Sequence, residues 1–115
     1  METLRPDYIR LLYLEAGLDQ TPICCKLVST SLHASPPYEA LSYTWASLEL
    51  ESTIICDGLP LPVTHHLFKA LQYLRRPEQE RIMWIDAVCI DQKNDKERAK
   101  QVGIMKNIYT KASML

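Results

Sequence analysis

An acidic residue inside an apolar run is the first place where this sequence could do chemistry. Residues 81–98 read RIMWIDAVCIDQKNDKER, and Asp86 is the only charge between Ile82 and Ile90. An ionised carboxylate there is costly unless it is paired, hydrogen-bonded or placed at a strand end that faces a cleft. Ligands of open α/β sheets bind outside the carboxyl ends of the strands, where the sequence IDQKND is predicted to lie. Asp86 is therefore a candidate site residue.

Nucleophilic, metal and phosphate-loop chemistry find less support. Cys89 could pair with His33, His65 or His66, but an apolar strand raises the pKa of a thiol and makes it inert. His65 and His66 are adjacent and lack the i, i+4 spacing of a zinc pair, so no metal site is predicted. With three glycines in the chain, neither G-x-G-x-x-G nor a Walker motif can be drawn.

The elements that must position Asp86 form a predicted α/β fold, a mixed β-sheet of about five short strands flanked by two main helices. The apolar run 82–90 has the pattern of a strand covered on both faces. A hairpin is predicted at Asp57 and Gly58, with its second arm at a sheet edge because Pro60 and Pro62 cannot donate to a ladder. Further strands are predicted at residues 8–14, 23–28 and 38–45.

The first predicted helix follows Thr64, which can cap it, in the sequence HHLFKALQYLRR. Leu67 and Leu71 recur at the helical spacing and predict a face that packs on the sheet. Arg75 and Arg76 suit the negative end of the helix dipole before Pro77 ends the helix.

The second predicted helix runs from about residue 95 to residue 112. Asn94 is its predicted N-cap, and Glu97, three residues later, completes a pattern that resembles a capping box. The predicted buried stripe of this helix consists of Val102, Met105, Tyr109 and Ala112.

Composition narrows the class of protein. The chain has 115 residues, 47% hydrophobic content and a net charge of −1, which predicts one domain with a core and gives no electrostatic case for nucleic-acid binding. It has neither a signal-type apolar segment nor a stretch approaching the ~20 apolar residues of a membrane span, so a cytoplasmic protein is expected. Four cysteines lie in apolar contexts and are predicted to be reduced core thiols: Cys24, Cys25, Cys56 and Cys89.

Four stretches together resemble one protein family in order and spacing. They are YEALSYTW, ICDG, LPVTHHLFKALQYLR and MWIDAVCIDQKNDKERAKQVGIMKNIYTKA. They closely resemble the heterokaryon-incompatibility (HET) domain of filamentous fungi, and IRLLYLEAG fits the opening strand of that family. The resemblance covers nearly the whole chain, and the coincidence of Trp-Ile-Asp-Ala-x-Cys-Ile with Glu-Arg-x-x-Gln-Val makes it specific.

The chain also departs from the family pattern. Ala46 stands where the family usually has Gly after the Trp of Ser-Tyr-x-Trp, and Asp91 stands where it usually has Asn. Family members continue beyond the Gln-Val-x-x-Met helix. The resemblance therefore implies that residues 1–115 are a single, incomplete HET domain, truncated at its C-terminus.

The resemblance implies an effector or signalling module of fungal non-self recognition, whose activation leads to programmed cell death. HET domains are also distantly similar to Toll/interleukin-receptor (TIR) domains, which implies a TIR-like fold and two mechanisms. One is association with copies of itself or with other HET-like or TIR-like signalling domains. The other is hydrolysis of NAD at its nicotinamide–ribose bond, with NAD as substrate and no certain cofactor. A third interpretation is an inactive remnant of a longer HET protein.

For the NAD-hydrolase mechanism, a carboxylate must stabilise an oxocarbenium-like state while aromatic rings hold the base and cations hold the phosphates. Under this interpretation Glu39 and Asp86 are the candidate catalytic residues. The candidate ligand-binding residues are Trp45, Trp84, Arg81 and Arg98.

Each of these residues also has a plain structural alternative. Glu39 can be a solvated charge at a strand entry, and Asp86 can anchor the amide groups of the loop after its strand. Trp45 and Trp84 can be core residues. Arg98 can be a surface ion-pair partner next to the capping residue Glu97.

Overall fold

The computed structural model describes residues 2–18, 20–41 and 49–114. Trp45, Ala46 and most of the predicted strand 38–45 lie outside these residues. The chain divides into two compact units. The first unit consists of Met1–Leu12, Val28–Ser42 and Ile82–Leu115, and the second unit consists of Tyr13–Leu27 and Tyr43–Arg81.

The α/β class with a mixed sheet is confirmed, and the described residues form seven strands and two main helices. The strands are β1 (Tyr8–Leu14), β2 (Cys24–Ser31), β3 (Glu39–Ala40), β4 (Ser52–Cys56), β5 (Leu59–Val63), β6 (Arg81–Trp84) and β7 (Ser113–Met114). The helices are α1 (His65–Leu74), the single turn α2 (Asp86–Cys89) and α3 (Asp95–Lys111), with a short 3-10 turn at Leu32–Ala34.

The first unit contains a short parallel ladder beside the long helix α3. Ala40 of β3 is in register with Trp84 of β6 on one side and with the backbone of Met114 of β7 on the other. The hydroxyl of Tyr38, just before β3, donates to the carbonyl oxygen of Ile108 in α3 at 2.6 Å. Burial raises the pKa of Tyr38. This hydrogen bond fixes the start of β3 against α3.

The second unit contains the predicted hairpin. β4 and β5 are antiparallel, and β4 is parallel to β2, with Cys25 in register with Cys56. Asp57 and Gly58 have φ of 52° and 78°, as a two-residue hairpin turn of the primed type requires. Among the described strands β5 pairs with β4 alone and is terminal in the sheet order, so its prolines lie at an edge as predicted.

Replacing Gly58 with alanine is expected to destabilise the protein by about 1–2 kcal/mol, because a Cβ is strained at positive φ. No described atom lies within 4 Å of the Cβ position, so backbone strain is the only cost. Urea unfolding of Gly58→Ala measures the loss. Gly103→Ala is the matched control, since that Cβ also meets open space but lies in α3, where alanine stabilises a helix by about 1 kcal/mol. Equal effects of the two substitutions would contradict the assignment of strain to Gly58.

The apolar run 82–90 does not form one continuous strand, which corrects the sequence prediction. β6 ends at Trp84, and Asp86 begins the one-turn helix α2. A carboxylate in the first turn of a helix interacts favourably with the helix dipole. The half-buried Asp86 is therefore accommodated at a helix start, and not inside a strand.

Both predicted helix caps are confirmed. The side chain of Thr64 accepts from the amide of Leu67 at 3.1 Å, and the side chain of Asn94 accepts from the amide of Glu97 at 3.1 Å. The predicted buried stripe of α3 is wrong: Val102 is 58% exposed, and Met105, Tyr109 and Ala112 are only partly buried. The buried positions of α3 are Glu97, Gln101 and Ile108.

Candidate functional site

The carboxyl end of β6 brings three side chains of the first unit together. The indole ring of Trp84 meets the ring of Tyr109 edge-on, with 5.4 Å between centroids and 87° between planes. Burial raises the pKa of Tyr109, and the negative charge of Asp86 raises it further, which places that carboxylate near the phenol. Trp84 is fully buried. Its indole therefore packs in the core and presents no accessible face to a ligand.

The loop after α2 is anchored by three acidic residues in different ways. The carbonyl oxygen of Asp86 accepts from the side-chain amide of Gln92 at 2.9 Å. The carboxylate of Asp91 accepts from the amide of Lys93 at 3.1 Å. The amide of Asp91 donates to Glu97 at 2.6 Å. Asp86 thus holds the loop through its backbone, while carboxylates of Asp91 and Glu97 bind the loop amides.

Glu39 lies in the same unit as Asp86, at the start of the parallel ladder that β3 forms with β6, whereas Asp86 lies beyond the end of that ladder. Glu39 is the first residue of β3 and is in register with Met83 and Ser113. Asp86 follows Met83 by three residues, which corresponds to about 10 Å along an extended chain. The two candidate carboxylates therefore flank the ladder from its start and from beyond its end.

The candidate phosphate-binding arginines have other partners. Arg81 donates to the carbonyl oxygen of Leu74 at 2.9 Å in the second unit. Arg98, in the first unit, forms an exposed ion pair with Asp95 at 2.9 Å and a 3.4 Å hydrogen bond to the carbonyl of Gln92. Of the predicted site residues in the described part of the chain, the structure brings Trp84 and Asp86 together around Tyr109.

The first unit contains a buried ion pair that the sequence pattern did not predict. Arg10 of β1 and Glu97 of α3 are 4% and 7% exposed and form two hydrogen bonds, of 2.6 and 2.7 Å. Bidentate geometry makes such a pair stronger than a single contact. Glu97 is therefore a buried ion-pair partner, and its second role in a capping box is replaced by this long-range contact.

The same pair also forms hydrogen bonds with the surrounding backbone. Arg10 also donates to the carbonyl oxygens of Cys89 at 3.1 Å and Glu2 at 2.7 Å, while Glu97 accepts from Asp91. These hydrogen bonds connect β1, the end of α2 and the loop before α3 through the Arg10–Glu97 pair. A signal was present in the sequence, since Arg10 interrupts the apolar run YIRLLYL as Asp86 interrupts its own.

The network predicts a pH dependence of stability. The hydrogen bond from Arg10 holds the pKa of Glu97 below its usual value of 4.5, against the opposing effect of burial. Because the folded pKa is lower than the unfolded one, the stabilisation is present above the unfolded pKa and is lost as pH falls through the folded pKa. Urea unfolding from about pH 7 to about pH 3 is expected to show this loss, and Glu97→Gln is expected to reduce the slope. An unchanged slope in that variant would contradict the assignment.

The described residues contain no group of three or more His, Cys, Asp or Glu side chains that could hold a metal ion. None of the helices that they form has the length and apolar character needed to cross a bilayer. In the same residues none of the four cysteines forms a disulfide, and Cys25 and Cys89 are buried.

Comparison with known proteins gives one family and one curated relative. The family model described as Heterokaryon incompatibility protein (HET) matches residues 38–115. Heterokaryon incompatibility protein 6, OR allele, of Neurospora crassa is 32% identical over 119 aligned positions, which cover 91% of this chain. The chain spans 18% of the length of that protein. No solved structure matches the chain.

Proposed function

Because the chain belongs to the heterokaryon-incompatibility (HET) family, we propose that it is an effector or signalling module of fungal heterokaryon incompatibility. In this proposal it acts in the cytoplasm by association with copies of itself or with other HET-like or TIR-like domains, and its activation leads to cell death. The family match over residues 38–115 carries the proposal, and the name of the Neurospora relative supports it.

An exposed aromatic side chain on α1 supports an association mechanism. Leu67 and Leu71 bury one face of this helix, whereas Tyr73 is 89% exposed. Tyrosine is enriched among the residues that contribute most to protein–protein interfaces. Lys69 and Gln72 lie beside Tyr73 on the same open surface of the second unit and provide the polar surroundings typical of an interface rim.

Two measurements on the same variants test this function. Light scattering coupled to size exclusion is expected to show a molar mass that rises with protein concentration, and inducible expression in a filamentous fungus is expected to arrest growth. Tyr73→Ser is expected to weaken both effects. Val102→Ser, which removes an exposed apolar side chain of α3, is the matched control. A monomer at every concentration together with normal growth would reject the proposal.

A second candidate function is NAD hydrolysis, favoured by the position of Asp86 beside Tyr109 at the carboxyl end of a parallel strand. Water would add to the ribose carbon as the bond to nicotinamide breaks, which releases nicotinamide, ADP-ribose and the proton that the attacking water loses to solvent. Asp86, with Glu39, would stabilise the positive charge that develops on the ribose. In this candidate Trp45, Arg81 and Arg98 keep their proposed binding roles, whereas Trp84, which is fully buried, would have to leave the core to contact a ligand.

Proton NMR of the chain mixed with NAD tests this second candidate. Release of free nicotinamide is expected, with loss of turnover in Asp86→Asn and Glu39→Gln and retained turnover in the control Glu78→Gln, whose side chain is exposed in the second unit. Turnover that survives in both site variants would reject the catalytic assignment. Absence of turnover, association and growth arrest together would favour the inactive-remnant interpretation.

A further inference from the structure

A cleft of about 460 Å³ opens in the first unit between residues 3–8 and the N-terminal half of α3. Its apolar lining comes from Leu4, Pro6, Tyr8 and Ile104. Cavities of about 300–1,000 Å³ are typical of sites for small organic molecules. The described residues that line this cleft include none of the site residues predicted from the sequence.

The rim of the cleft is cationic. Arg5, Lys96 and Lys100 are exposed and line it, and Asp7 is the exposed carboxylate that faces them. Glu97 also lines the cleft, but its charge is balanced by Arg10. Three cations against one uncompensated carboxylate leave a local charge of +2. A phosphomonoester, which carries about −1.5 to −2 near neutral pH, matches this charge better than a single carboxylate does.

One residue that lines the cleft carries a buried hydrogen-bond acceptor without a partner among the described residues. Gln101 is 3% exposed, and its amide nitrogen donates to the carbonyl oxygen of Tyr8 at 3.2 Å. Its side-chain oxygen is buried and accepts from no donor among the described residues. A buried acceptor without a donor is costly, so a ligand with an N–H group there would gain more than the same contact gives in water.

We propose that this cleft binds a small organic phosphomonoester whose flat, apolar body carries an amino group, the chemistry of an aminopurine nucleoside monophosphate. The phosphate contacts Lys96, Lys100 and Arg5 at the rim. The body lies against Tyr8 and Ile104, and the amino group donates to the side-chain oxygen of Gln101. This binding role does not depend on the proposed association or on NAD hydrolysis.

Amide chemical shifts of the isotopically labelled chain provide the binding measurement. The probes are AMP, adenosine, inorganic phosphate and purine riboside 5′-monophosphate, which is AMP without its amino group. AMP is expected to bind with a dissociation constant below about 1 mM and to shift the signals of residues 3–8 and the start of α3. Adenosine lacks the phosphate, purine riboside 5′-monophosphate lacks the amino group, and inorganic phosphate lacks the whole organic body. Each is expected to bind more weakly than AMP.

Two sets of variants assign the contacts. Lys96→Ser and Lys100→Ser are each expected to weaken AMP binding about tenfold, as loss of a charged hydrogen bond does. Lys106→Ser removes an exposed lysine of α3 that does not line the cleft, and it is expected to leave affinity unchanged. Gln101→Met is expected to bring the affinities for AMP and purine riboside 5′-monophosphate to the same value.

The affinities of the two nucleotides are compared on the same variant. A general loss of stability in Gln101→Met would lower both affinities and leave their ratio unchanged, so it would not produce the expected equality. Failure of AMP to shift any signal at millimolar concentration would overturn the proposal. Equal loss of affinity in Lys96→Ser, Lys100→Ser and Lys106→Ser would also overturn it, since binding would then follow net charge and not the cleft.

Discussion

Replacement of Glu97 with leucine is expected to lower the free energy of unfolding by about 3–5 kcal/mol. Arg10 would keep its charge in a site where it is 4% exposed, and it would lose both hydrogen bonds to the carboxylate. The amide of Asp91 would lose its 2.6 Å acceptor as well. Equilibrium urea unfolding, followed by circular dichroism, measures the effect.

A double-mutant cycle separates the interaction energy between Arg10 and Glu97 from the cost of burying either charge without its partner. Arg10→Met alone is expected to cost a similar amount, because it leaves Glu97 charged and buried. The double variant is expected to be more stable than either single variant, since two apolar side chains can replace a buried ion pair at little net cost. Additive losses would contradict the coupling of the two residues.

The exposed pair of Arg98 and Asp95 provides the matched control. Its nitrogen–oxygen distance of 2.9 Å is similar to that of the buried pair, but both side chains are largely exposed. Arg98→Met is expected to cost less than about 1 kcal/mol, because exposed ion pairs contribute little. A loss in Arg98→Met as large as in Glu97→Leu would show that burial does not determine the effect.

Features that depend on neighbouring residues could be predicted from the sequence. The dipeptide of Asp57 and Gly58 itself tolerates the positive φ that the hairpin turn requires. Thr64 and Asn94 each reach an amide three residues away, so the cap is determined within one turn of chain. The hairpin and both helix starts therefore lie where the pattern indicated.

Features that depend on distant partners could not be predicted in the same way. Glu97 and Gln101 are buried in α3 because they reach Arg10 and the carbonyl of Tyr8, which are 87 and 93 residues away in sequence. A stripe drawn from hydrophobic residues consequently placed Val102 inside, although it is exposed. The same limit applies to the site, where Asp86 was identified from its apolar context but its neighbour Tyr109 was assigned only to the core.

Replacement of Arg75 with methionine is expected to cost about 2–4 kcal/mol, the second largest of these effects. Arg75 follows α1, and the sequence predicts that it interacts with the helix dipole, yet its 9% exposed side chain contacts the backbone of Leu18, Thr21 and Pro22. Its guanidinium donates to the carbonyl oxygens of Leu18 at 2.5 Å, Thr21 at 3.1 Å and Pro22 at 2.9 Å. Methionine preserves the apolar contacts of the stem but removes all three donors.

The chain offers two controls for this variant, both in the second unit. Arg76 is the adjacent exposed arginine, and Arg76→Met is expected to change stability by less than about 0.5 kcal/mol. Gly17→Ala tests the packing around the same guanidinium, because a Cβ at Gly17 would lie 3.0 Å from Nη1 of Arg75 and also 3.0 Å from Oγ1 of Thr21, so that one or both groups must shift. If Arg75→Met and Arg76→Met unfold at the same urea concentration, the three carbonyl contacts do not stabilise the unit. If Gly17→Ala is less destabilising in Arg75→Met than in the wild-type background, the guanidinium is one of the groups that require glycine there, whereas equal losses would assign that requirement to Thr21.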